Sequence, residues 1–260
     1  MELRRVVITG IGTINPLGNS ISEYFTNLNN GVSGACPITR FDASLFKTKF
    51  ACEVKNFDPT QFGIYKKQVK RMDLFAQFAM AASYQAVNDS KLDMENEDKD
   101  RIGVIIGSGI GGITTLTLEA MGYSEGGRVP RFNPFMIPKM IPDIAAGLVS
   151  IKYGLRGPNY ATVSACASSC HAMINAFDLI RLGKADVILT GGSEAGISIQ
   201  SVGGFNSAQA LSVRNEDYLT ASRPFDKTRD GFVMGEGAGI LIFEEYERAV
   251  ARGAKIYAEV

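Results

Sequence analysis

The sequence contains no tryptophan, a single histidine and only four cysteines among its 260 residues. The cysteines show no spacing typical of a disulfide framework or a zinc site, which favours a reducing, cytoplasmic setting. No apolar run reaches the roughly 18 residues that a membrane-spanning helix needs. The N-terminus enters a strand pattern directly, without the regions of a secretory signal. These absences predict a protein with no membrane span, no disulfides and no metal centre.

Charge gives no sign of a nucleic-acid partner either, because 27 lysines and arginines balance 27 aspartates and glutamates. The chain is 45% hydrophobic and 21% charged, which is ordinary for a globular protein with a substantial core. At least five strand-like runs alternate with helical patterns. This alternation predicts an α/β fold with a mostly parallel sheet.

Apolar runs predict the strands, and apolar spacings of three and four residues predict the helices. We expect strands over 5–12, 101–107, 186–190 and 238–244, with a further strand beginning at 256. One long helix is expected over 66–92, with a face of small residues suited to close packing. A shorter helix is expected over 113–121.

One stretch, from Tyr160 to Gly183, joins a strand pattern to a helix pattern through small residues around Cys166. A second strand pattern follows it. A cysteine at such a join lies near unpaired N–H groups and the positive end of the helix dipole, which favour the nucleophilic thiolate. The same N–H groups could stabilise an oxyanion on a thioester that the sulfur attacks. The helix should bury one face made of Ala172, Ala176, Leu179 and Ile180.

Position alone does not separate a reactive cysteine from a structural one, since free cysteines are often buried and inert. The neighbours of Cys166 are small and leave room for a substrate. Both interpretations stay open on these residues. The small neighbours are Ser164, Ala165, Ala167, Ser168 and Ser169.

The glycines at 107, 109 and 112 suggest a different chemistry. They follow a strand pattern, precede a helix pattern and match the dinucleotide-binding fingerprint. That fingerprint also needs an acidic residue about 20 positions later, at the end of the next strand. Here that region has the composition of a loop. Close packing is therefore the favoured role of these glycines, and a nucleotide-dependent oxidoreductase is the weaker alternative.

A basic cluster opens the long helical pattern: Lys66, Lys67, Lys70 and Arg71. Most charge runs of this kind are simply a solvated helix face. The alternative is a surface that attracts an acidic partner.

Several longer motifs resemble one enzyme family, in the order in which that family carries them. They are VVITGIGTINPLG near the start, GLRGPN at 154–159, TVSACASS at 162–169, VGGF at 202–205 and ASRPFDKTRDGFVMGEGAG at 221–239. The chain resembles the β-ketoacyl-acyl-carrier-protein synthases, and most of all the type II elongating enzymes of bacterial fatty acid synthesis.

The resemblance implies a thiolase-like fold of two similar α/β halves, layered α-β-α-β-α, with residues 1–260 as the N-terminal domain. It implies that Cys166 takes an acyl group from acyl carrier protein as a thioester. Malonyl-carrier protein then loses CO₂, and the resulting carbanion attacks that thioester. No cofactor is implied.

The same resemblance assigns roles to other positions. It places Ile110, Phe135 and Phe205 in an acyl pocket near the interface of a homodimer. The basic cluster then falls on the surface that receives the carrier protein. Gln209 stands where relatives often carry a docking arginine, which departs from the family pattern.

The family's active site also takes two histidines, a lysine and a gating loop from a C-terminal half. This sequence has only His171, five residues after Cys166. We therefore expect the chain to be the N-terminal portion of a ketosynthase, inactive in condensation by itself. The alternative is a non-catalytic ketosynthase-like subunit that binds carrier protein or sets chain length. Such subunits usually replace the nucleophile, which Cys166 retains.

Overall fold

The apolar runs form one central sheet in the computed structural model, which describes residues 3–260. The first two residues of the expected 1–260 domain lie outside that range. The strands are β1 (Val6–Ile14), β2 (Cys36–Pro37), β3 (Phe50–Ala51), β4 (Ile102–Gly107), β5 (Asn159–Tyr160), β6 (Val187–Glu194), β7 (Gly237–Glu245) and β8 (Ala258–Glu259). Six of them make the central sheet, in the order β5-β4-β6-β7-β1-β8, and β2 pairs with β3 in a small hairpin.

Nine helices surround the sheet in the described part of the chain. They are α1 (Ile21–Asn29), α2 (Lys66–Val69), α3 (Leu74–Ser90), α4 (Ile113–Glu125), α5 (Met136–Met140), α6 (Ile144–Tyr153), α7 (Ser168–Arg181), α8 (Ile199–Ser207) and α9 (Tyr246–Ala251). Short 3₁₀ turns cover Pro59–Phe62, Lys99–Arg101, Ala165–Ala167 and Asn215–Thr220. None of the helices in residues 3–260 is both long enough and apolar enough to span a membrane.

The expectation of a mostly parallel sheet is confirmed for strand direction, because β1, β4, β5 and β6 all point the same way. The hydrogen-bonded pairs are mixed, however. Strand β4 pairs in parallel with β5 and β6, whereas β7 is antiparallel to β6 and β1, and β8 is antiparallel to β1. Strand β7 is reversed because it starts where β6 ends, with Gly237 paired to Glu194. The segment that connects β6 to β7 therefore stays at the carboxyl end of β6 and does not run back to its amino end.

Helices cover both faces of the sheet. On one face, α3 and α6 enclose a large apolar core that includes Phe75, Phe78 and Ile106. On the other face, α7 packs a smaller core against β4 and β6 through Ala172, Ala176 and Ile180, which are fully buried. The predicted buried face of α7 is confirmed for these three residues. Leu179 packs against the same core while partly exposed.

Small residues let α3 lie directly on strand β1. A β-carbon on Gly12 would come within 2.0 Å of the Ala82 carbonyl oxygen, and one on Gly10 within 2.3 Å of the Ala86 carbonyl oxygen. Nothing larger than glycine fits at these two positions without moving the helix. The expected small-residue packing face of this helix is therefore confirmed.

The single helix predicted over 66–92 is wrong, because the chain breaks between α2 and α3. The break ends at Asp73, a buried residue that precedes the first turn of α3. Its carboxylate accepts hydrogen bonds from the backbone N–H and the hydroxyl of Thr115, at 2.9 and 2.5 Å. The bend thus lets one carboxylate tie the start of α3 to the first turn of α4.

Candidate active site around Cys166

Cys166 lies at the turn where the chain leaves β5 and enters α7. Only Asn159–Tyr160 pair as a strand, so the strand-like run ends earlier than its composition suggests. The 3₁₀ turn Ala165–Ala167 then leads directly into α7. The thiol of Cys166 is exposed and free. This exposure contradicts the interpretation of Cys166 as a buried structural cysteine.

The residue before the cysteine has a strained backbone. Ala165 has a φ of +52°, in the left-handed region that residues with a β-carbon rarely adopt. Such a conformation costs about 1–2 kcal/mol and persists only where the surroundings hold it. The sharp turn that results places Cys166 in the first turn of the helical segment, with its side chain toward solvent.

Ser168, which is 4% exposed, stabilises this turn through three hydrogen bonds. Its hydroxyl donates to the Ala165 carbonyl at 2.7 Å and accepts from the Ser164 N–H at 2.9 Å. Its carbonyl accepts from the Thr162 hydroxyl at 2.7 Å. These three hydrogen bonds connect both arms of the turn across the strained residue. The small serines next to Cys166 therefore do more than leave space for a substrate.

The backbone N–H of Cys166 has no hydrogen-bond acceptor among the described residues, whereas the next N–H, that of Ala167, donates to the Ser164 carbonyl at 3.1 Å. The unpaired N–H lies on the same residue as the exposed thiol. An N–H in the first turn of a helix is a good donor to negative charge. This arrangement can therefore stabilise an oxyanion that develops on a carbonyl attacked by the sulfur.

His171 is exposed on α7, one helical turn beyond Cys166. Its Nδ1 shares a hydrogen bond of 2.6 Å with the Ser164 hydroxyl, on the arm of the turn that precedes the cysteine. The histidine thus supports the turn. The described side chains include no group of three or more His, Cys, Asp or Glu residues arranged to hold a metal ion.

Glycines at the ends of β4 and β6 let this turn approach the sheet. A β-carbon on Gly107 would lie 2.4 Å from the Ser168 carbonyl carbon, and one on Gly192 would lie 2.6 Å from the Ser169 β-carbon. Both contacts are shorter than real atoms allow. The predicted close-packing role is confirmed for Gly107, and the same role applies to Gly192.

The loop Ser108–Gly111 has a carboxylate built into it. Glu194, the last residue of β6, accepts hydrogen bonds from the Gly109 N–H at 2.7 Å and the Ile110 N–H at 3.0 Å. The Ser108 hydroxyl donates to the other carboxylate oxygen at 3.2 Å. Burial raises the pKa of Glu194, while these hydrogen bonds oppose that rise. Sequence reasoning missed this residue, although an acidic residue ending a buried strand was a visible signal.

The same carboxylate argues against a dinucleotide site. A nucleotide phosphate would need the free N–H groups between β4 and α4. Those of Gly109 and Ile110 already donate to Glu194, and that of Gly112 donates to the Met140 carbonyl at 2.9 Å. A second anion at this loop would also meet the negative charge of the carboxylate. The glycines there serve packing and an internal hydrogen-bonded turn.

Comparison with known proteins agrees with this geometry. Residues 3–249 match the family model described as "Beta-ketoacyl synthase, N-terminal domain". The chain belongs to the β-ketoacyl synthase family. This membership confirms the resemblance found in the sequence motifs.

One curated ketosynthase relative is the 3-oxoacyl-acyl-carrier-protein synthase 2 of Synechocystis sp., which is 52% identical over 100% of this chain and 62% of its own length. Among solved structures, the ishigamide ketosynthase/chain length factor matches with a TM-score of 0.91 at 32% identity, over 99% of this chain and 62% of that one. A type II polyketide synthase acyl-carrier protein in complex with its ketosynthase matches with a TM-score of 0.85 at 33% identity, over 99% and 62%. The thiolase-like fold is thereby confirmed, and the chain spans about three-fifths of the length of these proteins.

The three residues expected in the ketosynthase acyl pocket have different neighbours. Ile110 is 42% exposed in the loop that Glu194 holds, beside Cys166's turn. Phe205, on α8, packs edge-to-face against Phe232, with ring centroids 5.2 Å apart. Phe135 precedes α5 and contacts Arg71. No described contact joins the three, so their shared pocket stays a prediction.

The four residues of the basic cluster are exposed on α2 and the turn after it. None of them forms a salt bridge within residues 3–260, where ten other ion pairs are found. The guanidinium carbon of Arg71 lies 4.8 Å from the centroid of the Phe135 ring, a cation–π contact. The cluster is therefore an unpaired positive surface that adjoins one of the expected pocket residues.

Proposed function

We propose that the protein is a condensing enzyme of fatty acid synthesis, with Cys166 as its nucleophile. The thiolate attacks the thioester of an acyl carrier protein, the acyl–enzyme thioester forms, and the thiol of the carrier leaves. Malonyl-carrier protein then loses CO₂, and the electron pair of the broken bond makes the carbanion that attacks the acyl–enzyme. The new C–C bond releases the Cys166 thiolate and a β-ketoacyl-carrier protein.

One observation carries this proposal: the exposed thiol of Cys166 shares its residue with an unpaired backbone N–H, in a chain that matches the ketosynthase N-terminal domain. The thiol supplies the nucleophile, and the N–H supplies an oxyanion donor for the tetrahedral intermediate. The curated relatives named 3-oxoacyl-acyl-carrier-protein synthase 2 support the substrate class.

Loading and condensation should separate in an experiment. We propose that decarboxylation needs two histidines and a lysine from a C-terminal half, so the 260-residue chain alone should accept an acyl group but form no β-ketoacyl product. Incubation with an acyl thioester, followed by mass spectrometry of the peptide that carries Cys166, measures the first step. Product analysis with malonyl-carrier protein measures the second. A wild-type chain that stays unacylated while Cys170 is modified would contradict the proposed nucleophile.

The basic cluster is proposed as the docking surface for the acidic carrier protein. Its support is the exposure of four cations without carboxylate partners, and a ketosynthase neighbour whose structure includes an acyl-carrier protein. Changing Lys66 and Lys70 to glutamate should weaken carrier binding about tenfold or more at low salt, and less at high salt. Lys184→Glu, which changes an exposed lysine between α7 and β6, is the control. Equal weakening by the control would reject a specific surface.

We also propose a homodimer in which a second subunit helps to complete the acyl pocket. Its support is a series of exposed apolar side chains on α4 and the segment that follows it. They are Leu116, Leu118, Met121, Val129, Phe132 and Ile137. Sedimentation of the protein at micromolar concentration tests the association. The four free thiols fit a cytoplasmic location, which stays part of the proposal.

A non-catalytic carrier-binding or chain-length subunit is the second candidate, because one structural neighbour is a ketosynthase/chain length factor. The two candidates predict different reactivity for the Cys166 thiol. A catalytic subunit should react with iodoacetamide at Cys166 faster than at Cys36 and Cys52, which are partly buried. Failure of Cys166 to react selectively in the folded protein would favour the second candidate.

A further inference from the structure

Lys152 is a half-buried lysine near the end of α6, without a carboxylate partner among residues 3–260. Its Nζ lies 4.8 Å from the centroid of the Tyr84 ring and 5.7 Å from that of the Tyr153 ring. Burial lowers the pKa of Lys152, so these contacts do not fully replace the hydration that the ammonium loses. The fold thus places a charge where water is scarce and no ion pair compensates for it.

The ammonium of Lys152 binds the chain just before the basic cluster. Its Nζ donates hydrogen bonds to the Phe62 carbonyl at 2.8 Å and to the Gly63 carbonyl at 3.4 Å. These carbonyls belong to the two peptide groups on either side of the Gly63 α-carbon. The N–H groups of the same two peptides donate to the preceding 3₁₀ turn at 3.3 Å, which is longer than the bond to Phe62. Lys152 therefore restrains the rotation of the chain at Gly63 from outside the segment.

Gly63 is the residue at which the chain turns toward α2. Its φ is +65°, in the left-handed region, and its backbone is freer to rotate than that of a residue with a side chain. Helix α2 begins three residues later and has no buried residue, so its position depends on the anchors at its two ends. The anchor after α2 consists of the buried Met72 and Asp73. The anchor before it consists of Ile64, which is 1% exposed, and the two peptide groups that Lys152 holds.

We propose that Lys152 is a positioning residue for the basic cluster, because its bonds to Phe62 and Gly63 set the direction in which α2 presents its cations to an acidic carrier protein. This inference rests on the proposed function, since it requires the carrier protein to bind that surface. The ammonium already donates to two carbonyls, so Lys152 acts through α2 and not as a fifth cation of the cluster. Without it, Gly63 rotates more freely and the four cations lose their fixed arrangement.

The experiment compares the wild-type chain with Lys152→Met, which removes the ammonium and keeps a long apolar side chain. Two quantities are measured: the Kd for an acyl carrier protein at low salt, and the rate of amide hydrogen exchange over residues 66–72. Lys152→Met should raise the Kd about threefold or more and speed the exchange about fivefold or more. Loss of charge alone would change only the Kd. A weaker affinity without faster exchange would therefore overturn the inference.

Two control variants separate position from charge. Lys184→Met removes the same charge from an exposed lysine between α7 and β6. It should leave the exchange over 66–72 unchanged and the Kd within about twofold of the wild-type value. Lys152→Arg keeps the charge and the N–H donors, so it should restore both quantities toward those of the wild type. Changes in Lys152→Arg as large as those in Lys152→Met would overturn the inference.

A further variant keeps the test decisive if Lys152→Met does not fold. Lys152→Gln has a shorter polar side chain that suits a half-exposed position, and it should also weaken carrier binding and speed the exchange over 66–72. Wild-type exchange in Lys152→Gln would overturn the inference. If the wild-type chain does not bind the carrier protein while the exchange still rises in Lys152→Met, the proposed docking surface fails and the restraint of α2 by Lys152 is retained.

Discussion

Two helices follow the carboxyl ends of neighbouring parallel strands, α4 after β4 and α7 after β5. The two junctions differ in the acceptors that their backbone N–H groups bind. Before α4, the N–H groups of Gly109 and Ile110 donate to the internal carboxylate of Glu194. At the start of α7, the N–H of Cys166 has no acceptor among the described residues. The second junction therefore leaves an N–H donor free beside an exposed thiol.

The comparison teaches that a glycine-rich turn before a helix does not by itself make an anion site. The loop before α4 has the glycines of a nucleotide fingerprint, yet its donors are used within the protein. The turn before α7 has no glycine, and a strained Ala165 makes the bend instead. A helix N-terminus becomes a site where the fold leaves its donors unpaired and puts a reactive group beside them.

Of the changes that test how the two junctions differ, removing the Cys166 thiol should have the largest effect. Cys166→Ala should abolish acylation of the protein, because Cys166 is the exposed thiol in the 3₁₀ turn that leads into α7. The melting temperature should stay close to that of the parent, since the exposed side chain contributes little to the core. Mass spectrometry after incubation with an acyl thioester measures the loss. Cys170→Ala, one turn further along the helix, is the control and should keep acylation.

The second-largest effect should come from adding a β-carbon at Gly107, where β4 meets the start of α7. Gly107→Ala places a β-carbon 2.4 Å from the Ser168 backbone and should lower the free energy of unfolding by about 2–3 kcal/mol. Chemical denaturation measures this change. Gly122→Ala is the matched control, because a β-carbon there meets nothing within 4 Å and the position is inside α4. It should stabilise by about 0.5–1 kcal/mol. Similar losses in both variants would contradict the proposed close approach.

Loosening the strained turn should have an intermediate effect. Ser168→Ala removes the buried hydroxyl that bonds Ser164 and Ala165, and should cost about 1–2 kcal/mol of stability. It should also slow iodoacetamide labelling of Cys166, because the turn no longer presents the thiol in one position. Ser207→Ala, which removes an exposed hydroxyl bonded to the Gly203 carbonyl, is the control. An unchanged rate of Cys166 labelling in Ser168→Ala would show that the turn keeps its conformation without the Ser168 hydroxyl, contrary to this prediction.

The smallest effect concerns pH at the closed junction. Burial raises the pKa of Glu194 above its ordinary value of 4.5, so the folded state binds this proton more tightly than the unfolded state. The contribution of protonated Glu194 to the free energy of unfolding is therefore fully present below about pH 4.5. It is lost as the pH rises through the pKa of Glu194 in the folded state. The difference in unfolding free energy between wild type and Glu194→Gln should fall with rising pH in that window. Denaturation curves across it measure this slope, and a flat or rising difference would contradict it.

The sequence by itself determined much of this protein. Apolar runs located β1, β4, β6 and β7, and the helical spacing of Ala172, Ala176 and Ile180 located the buried face of α7. These signals are local, since one strand or helix face records its own burial. The motif around Cys166 identified the family before any coordinates, because Cys166 and its neighbours lie together in the chain.

Only the tertiary structure decided what depends on residues far apart in sequence. The direction of β7 depends on where β6 ends, and the break before α3 depends on a hydrogen bond that Thr115 donates to Asp73. The closed loop depends on Glu194, 85 residues beyond Gly109. Whether an N–H group stays free is such a property, because an acceptor can come from any strand that ends nearby. The sequence therefore located the sulfur, and the fold decided which helix start was left open for it.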